Sequence, residues 1–140
     1  MRLVVAAAIV DHLARPSRVL AARRVEPRAL AGGWEFPGGK VESGEDPVAA
    51  LHRELDEELQ VRVRLGAELP APDGNAWPLA DGLVLRLWFA EVVEGAPTLT
   101  AGHDELRWLS AGQLEDVPWL PADLAIVDRL RARLVSPRTG

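Results

Sequence analysis

Gly38-Gly39-Lys40-Val41-Glu42-Ser43-Gly44-Glu45 and the Arg53-Glu54-Leu55-Asp56-Glu57-Glu58 that follows it decide how this chain is read. The first is a glycine-rich turn and the second an acid-rich helix. Asp46 is a favourable N-cap and Pro47 a favourable first helical residue, so a helix is predicted from about Pro47 to about Leu59. At about 100° per residue, Val48, Leu51, Leu55 and Leu59 share one stripe, the face for the core. Glu54, Glu57 and Glu58 stand at i, i+3 and i+4, so their carboxylates lie on a neighbouring face, where like charges repel. Spacing alone leaves two readings. One is a solvated acidic face relieved by Arg53. The other is a site for a hard divalent cation, which takes carboxylate and carbonyl oxygens and retains water. A glycine turn lets backbone carbonyls approach such a site closely.

These residues resemble the Nudix box, G-x5-E-x7-R-E-U-x-E-E-x-G-U, in which U is a bulky aliphatic residue. Gly39, Glu45, Arg53, Glu54, Leu55, Glu57, Glu58 and Val61 match, and Gln60 stands where the family has glycine. That glycine would suit a left-handed helix end. Gln60 is not a metal ligand, so the departure touches turn geometry rather than chemistry. The wider run Trp34-Glu35-Phe36-Pro37-Gly38-Gly39-Lys40-Val41 resembles the MutT branch of the same family.

The rest of the chain is compatible with that resemblance. Its 140 residues are expected to form a single domain over 1–140, with 48% hydrophobic and 26% charged residues. Without cysteine there is neither a disulfide framework nor thiolate chemistry. A net charge of −5 argues against a duplex nucleic-acid binder, though not against a nucleotide whose phosphates a cation neutralises. Lys40 is the only lysine beside fifteen arginines, so any one arginine is weak evidence for phosphate binding. The apolar run Leu3 to Val10 is too short to span a membrane and reads as a buried central strand rather than a signal peptide.

In chain order, Arg18 to Arg23 reads as a strand and Val25 to Gly33 as a loop. Trp34-Glu35-Phe36 reads as a short strand entering the glycine turn. Val61 to Leu65 alternates as a half-buried strand. Pro70 to Asp81 is a loop dense in turn formers, and Leu83 to Val93 is the longest strand candidate. Glu105 to Leu109 is a further short strand, and Ser110 caps a short helix through Glu115. Leu124, Val127, Leu130 and Leu134 continue at helical spacing to a terminal helix. Periodicity supports only mixed α and β. The resemblance implies an α+β protein with the Nudix fold, an α/β/α sandwich around a mixed β-sheet.

The resemblance also implies a reaction. A nucleoside triphosphate and water would give the monophosphate and pyrophosphate, with Mg²⁺, or Mn²⁺ in its place. It assigns metal ligation to Glu54, Glu57, Glu58 and the Gly38 carbonyl, and proton abstraction to Glu54 or Glu57. Arg53 would orient the acids, and Glu45 would anchor the loop to the helix. MutT-like enzymes often add a later acid, but here that position is Gly102, so Glu105 is favoured over Asp104 as a substitute. His103 reads as a surface residue rather than a base.

Substrate contacts are expected from Arg24, Phe36, Gly39, Lys40, Trp77 and Asp123. Arg24 is surface charge or a nucleotide contact, Phe36 core or base wall, and Trp77 packing, lid or stacking residue. Asp123 either caps the terminal helix or reads the base. If ionised it only accepts, which suits the exocyclic amine of cytosine; if protonated it could read 8-oxo-guanine. The substrates implied are 8-oxo-dGTP and cytosine nucleotides such as CTP, dCTP and 5-methyl-dCTP, in cytoplasmic nucleotide-pool sanitation by a monomer or homodimer without membrane partners. The rivals are an ADP-ribose or nucleotide-sugar pyrophosphatase and a non-catalytic nucleotide-binding regulator.

Overall fold

The apolar run near the start of the chain forms the centre of the structure, a computed structural model that describes residues 2–80, 82–100 and 102–136. In chain order the elements are β1 (Arg2–Ile9), β2 (Arg18–Arg24), β3 (Trp34–Glu35), β4 (Gly38–Lys40), α1 (Pro47–Leu59), β5 (Arg62–Glu68), β6 (Trp77–Pro78), β7 (Leu83–Glu94), β8 (His103–Ser110) and α2 (Leu124–Arg131). Short 3-10 turns occupy Arg28–Leu30, Ala111–Asp116 and Pro121–Asp123.

Strand β1 pairs in parallel with β7 and antiparallel with β4, while β5 and β6 pair with β7. A second sheet has the order β3-β2-β8. The parallel β1–β7 pair beside antiparallel neighbours makes the main sheet mixed, as expected. Small residues in β1 allow burial on both faces. Val5, Ala7 and Ile9 pack with Leu51, Leu55 and Leu59 of α1. Ala6 and Ala8 pack in the cluster that holds Ile126, Val127 and Leu130 of α2. The two helices therefore cover opposite faces, giving the α/β/α arrangement.

Helix α1 begins and ends for local reasons. Asp46 accepts a hydrogen bond from the Ala49 N–H at 3.0 Å, and Pro47 occupies the first turn. The helix stops at Gln60, whose backbone is left-handed (φ 59°, ψ 41°) and whose N–H donates to the Asp56 carbonyl at 3.0 Å. Thus Gln60 adopts the conformation for which the family pattern has glycine.

Several expectations need correction. Val48 and Leu124 are exposed; Ala50 instead joins the buried face of α1. Leu134 is buried but lies beyond the end of α2. Trp77 is not a lid or a stacking residue. It is buried in the core, and its indole N–H donates to the Leu69 carbonyl at 2.9 Å, which satisfies its one polar atom. The last residue of the loop reading, Asp81, lies outside the described residues. The strand expected from Glu105 to Leu109 starts at His103, and His103 is buried rather than on the surface.

Candidate active site

Strand β4 is the edge neighbour of β1 and meets the acidic face of α1, and glycine is what lets it fit. A Cβ on Gly38 would stand 2.0 Å from the Val5 carbonyl oxygen. One on Gly39 would stand 2.3 Å from both Cδ and Oε2 of Glu54. Two glycines thus allow a strand backbone and a carboxylate to meet without an intervening side chain. Glu58 also reaches this strand: its Oε2 accepts the Gly38 N–H at 3.2 Å.

Arg53 organises the neighbouring acids. Its Nε and Nη2 donate to the two Glu45 oxygens at 2.8 and 2.9 Å, a two-pronged clasp. Its Nη1 donates to Glu54 at 2.9 Å and to Glu57 at 3.3 Å, and Nη2 also reaches the Lys40 carbonyl at 3.2 Å. Glu45 accepts the Glu42 N–H at 3.1 Å, so it ties the glycine-rich loop to the helix through Arg53. Among the described residues, no three acidic or histidine side chains stand together at ligand distance. Arg53 holds Glu54 and Glu57, and the Gly38 N–H holds Glu58. The charge repulsion of this face is relieved by those donors.

The electrostatics separate the acids. Arg53 and the Glu42 N–H hold the Glu45 carboxyl down at about 2. Burial pushes Glu54 upward, with Glu57 and Glu45 adding to the shift and Arg53 opposing it. Burial pushes Glu58 up to about 7; Glu35 and Glu54 reinforce this, while His103 and the Gly38 N–H oppose it. Glu57 is the open member, with its side chain 59% exposed. The test of fit for a divalent cation is this donor set. Glu54 packs against Gly39 and Glu58 accepts the Gly38 N–H, so two carboxylates and the strand backbone meet at β4, and oxygen is the donor type a hard cation takes. In donor chemistry these residues fit such an ion.

A second cluster borders the first. Arg24 donates from Nη1 to Glu35 Oε1 at 3.1 Å and from Nε to the Glu26 carbonyl at 2.8 Å. The other Glu35 oxygen lies 2.9 Å from His103 Nε2. Asp123 is buried, and burial, helped by Glu35 and opposed by Arg24, pushes its carboxyl up to about 7. Its side chain makes no capping hydrogen bond to α2, which removes the capping reading. Phe36 is buried with its ring centroid 4.9 Å from that of Trp119, so it supports this region from within the core rather than offering an open base wall. Lys40 is exposed on β4.

The partners of Glu105 are arginines of the β2–β8 pair. A register shift between Arg23 and Arg24 in the β2–β8 pairing puts Arg23 opposite Glu105 and Arg24 opposite His103. Arg23 then holds Asp104 at 2.7 Å and Glu105 at 3.6 Å, and Arg107 holds Glu105 at 3.0 Å. His103, rather than either acid, is the group from this segment that influences Glu58. Glu35 and His103 had no site role in the sequence reading. Glu35 carried one legible sign: a carboxylate between the apolar Trp34 and Phe36 needs a partner. His103 carried none, because its inward turn depends on an irregular strand pairing.

The family model described as the NUDIX domain matches residues 2–130. A Mycobacterium tuberculosis protein provisionally named 8-oxo-dGTP diphosphatase 2 is 44% identical over 87% of this chain and 82% of its own length. The Escherichia coli CTP pyrophosphohydrolase is 33% identical over 91% of this chain and 90% of its own. The solution structure of the E. coli ORF135 protein superposes with a TM-score of 0.68 at 34% identity, covering 94% of this chain and 91% of that one. With a family match that spans the fold and the acid cluster alike, the chain belongs to the Nudix family, as a MutT-like hydrolase of phosphoric anhydride bonds.

Proposed function

We propose that this hydrolase cleaves nucleoside triphosphates to monophosphate and pyrophosphate, acting on 8-oxo-dGTP, cytosine nucleotides or both, with Mg²⁺ or Mn²⁺. One observation carries the reading. A buried carboxyl that does not cap its helix, Asp123, shares Glu35 as a neighbour with Glu58 of the acid cluster. Base recognition and phosphate chemistry thus have adjoining groups.

Glu54, Glu57 and Glu58, with the Gly38 carbonyl, are the residues that would hold the cation. When bound, a divalent ion lowers the charge on the phosphates and acidifies water. The chain supplies the rest. Arg53 and Glu45 keep α1 against the glycine strand. Glu54 or Glu57 takes the proton of the attacking water. Gly39 lets the Glu54 carboxylate lie against the strand backbone, and the exposed Lys40 offers the phosphates a charge. Asp123, with its carboxyl poised near neutrality, offers a donor and an acceptor when protonated and acceptors alone when ionised. The first state suits 8-oxo-guanine and the second the cytosine amine. Arg24 stands on the same side of the cluster, held by Glu35.

The test is hydrolysis of CTP, dCTP, 5-methyl-dCTP, dGTP, 8-oxo-dGTP and ADP-ribose with and without Mg²⁺, with products separated by ion exchange. Monophosphate and pyrophosphate from the cytosine or 8-oxo-guanine substrates are expected. Cleavage of ADP-ribose alone would overturn the substrate class. Glu57→Gln should keep nucleotide binding and lose turnover; undiminished turnover would sink the mechanism.

A further inference from the structure

His103 is a buried polar residue that the proposed chemistry does not use. Its side chain is only 2% exposed. Nε2 lies 2.9 Å from Glu35 Oε2, so the tautomer with its proton on Nε2 donates to that carboxylate. Nδ1 is, among the described residues, a buried side-chain atom without a hydrogen-bond partner. Leaving a buried nitrogen unpaired is unfavourable, and an apolar residue would fill the same place without that cost. The histidine therefore calls for a reason beyond packing. The β2–β8 register shift directs it inward, opposite Arg24, while Asp104 and Glu105 are held outside by Arg23.

Glu35 is the group that His103 holds. Among the described residues its two oxygens have two side-chain partners, His103 on one and Arg24 on the other. Next to it, the Trp34 carbonyl accepts the N–H of Leu120, which opens the turn carrying Asp123, at 2.9 Å, and the Glu35 charge acts on both Asp123 and Glu58. A carboxylate with a single remaining partner could rotate away from either group. We propose that His103 is a positioning residue: by fixing Glu35 between Arg24, Asp123 and Glu58, it sets nucleotide affinity and base discrimination without taking part in bond cleavage. The inference rests on the nucleotide-hydrolase reading above.

Glutamine and asparagine distinguish this role from simple packing. The amide nitrogen of glutamine falls near the position of His Nε2 and can donate to Glu35, whereas that of asparagine falls short. The experiment measures kcat and KM of wild type, His103→Ala, His103→Gln and His103→Asn on the preferred triphosphate and on a second base, with calorimetric binding of the matching monophosphates. His103→Ala and His103→Asn should raise KM and monophosphate Kd about tenfold and flatten base preference, with kcat within about threefold. His103→Gln should restore all three.

Unchanged KM in His103→Ala, a loss confined to kcat, or equal behaviour of the glutamine and asparagine variants would overturn the inference. So would a glutamine variant that does not fold, since the ring would then be needed for packing. If wild type turns over nucleotides and the variants do not differ from it, only this inference fails. If wild type neither cleaves nor binds any nucleotide, the functional reading fails and takes the inference with it.

Discussion

The carboxylate of Glu54 occupies the space where Gly39 would carry a side chain: a Cβ there would stand 2.3 Å from Glu54 Cδ. The contact involves the far end of a flexible side chain, so Gly39→Ala can be accommodated by moving Glu54. Stability should fall by less than about 1 kcal/mol, while kcat falls about 100-fold, because a small misplacement of a catalytic group is enough. Gly38→Ala is the contrast. Its Cβ would meet the Val5 carbonyl at 2.0 Å, within the β1 backbone, which cannot swing aside. A loss of about 3 kcal/mol or more is expected there. Urea denaturation and turnover per folded molecule separate the two. If Gly39→Ala kept full activity per folded molecule, Glu54 would be removed from the reaction.

Arg53 serves Glu45, Glu54, Glu57 and the Lys40 carbonyl at once, and lysine has no comparable fork. Arg53→Lys should therefore behave as a loss despite its retained charge. Stability should drop by about 1–2 kcal/mol and kcat by about 10- to 100-fold, with KM little changed. Glu45→Gln should cost less when added to Arg53→Lys than when made alone, since one clasp is broken in both. Additive losses in this double-mutant cycle would contradict the clasp.

The bounds of α1 were legible because they depend on near neighbours: Asp46 caps Ala49, and Pro47 needs no N–H partner. The acid cluster was legible for the same reason, since its spacing lies within one helix. What could not be read depends on pairing between distant segments. His103 turns inward because the β2–β8 register slips between Arg23 and Arg24, an event with no sequence signature. The same irregular pairing sets Glu105 opposite Arg23, with which it pairs. Trp77 was ambiguous because a polar loop surrounds it in sequence, whereas in space its partner is the Leu69 carbonyl. Asp123 lay on the line between two readings, and only its missing capping bond separates them.

Gln60 holds φ at 59°, where a Cβ is disfavoured by roughly 1–2 kcal/mol. Glycine at this position would relieve the strain while giving the unfolded chain more freedom, which offsets part of the gain. The net effect of Gln60→Gly should be a stabilisation of about 0.5–1 kcal/mol and a rise in Tm of a few degrees. Gln60 is exposed and its backbone N–H donates to the Asp56 carbonyl, so turnover should not change. A calorimetric scan beside an activity assay checks both parts. A fall in Tm would mean that the left-handed helix end is not strained.

Asp123 should make stability depend on pH in the direction opposite to most carboxylates. Its folded pKa is about 7, above the unfolded value of about 3.9. Between these values the folded chain binds more protons than the unfolded one. By linkage, stability contributed at this position is highest below about pH 4, falls as pH rises toward 7, and levels off above it. Asp123→Asn removes the ionisation. It should therefore gain on wild type as pH rises, by on the order of 2–4 kcal/mol at pH 8 and little at pH 4. Urea midpoints for both proteins across pH 4–8 measure the difference, which cancels titration common to the two. A difference that stays flat across this range would place the Asp123 carboxyl in contact with water in the folded state, and a difference that shrinks with pH would mean that Arg24 outweighs burial and Glu35 and holds the carboxyl down.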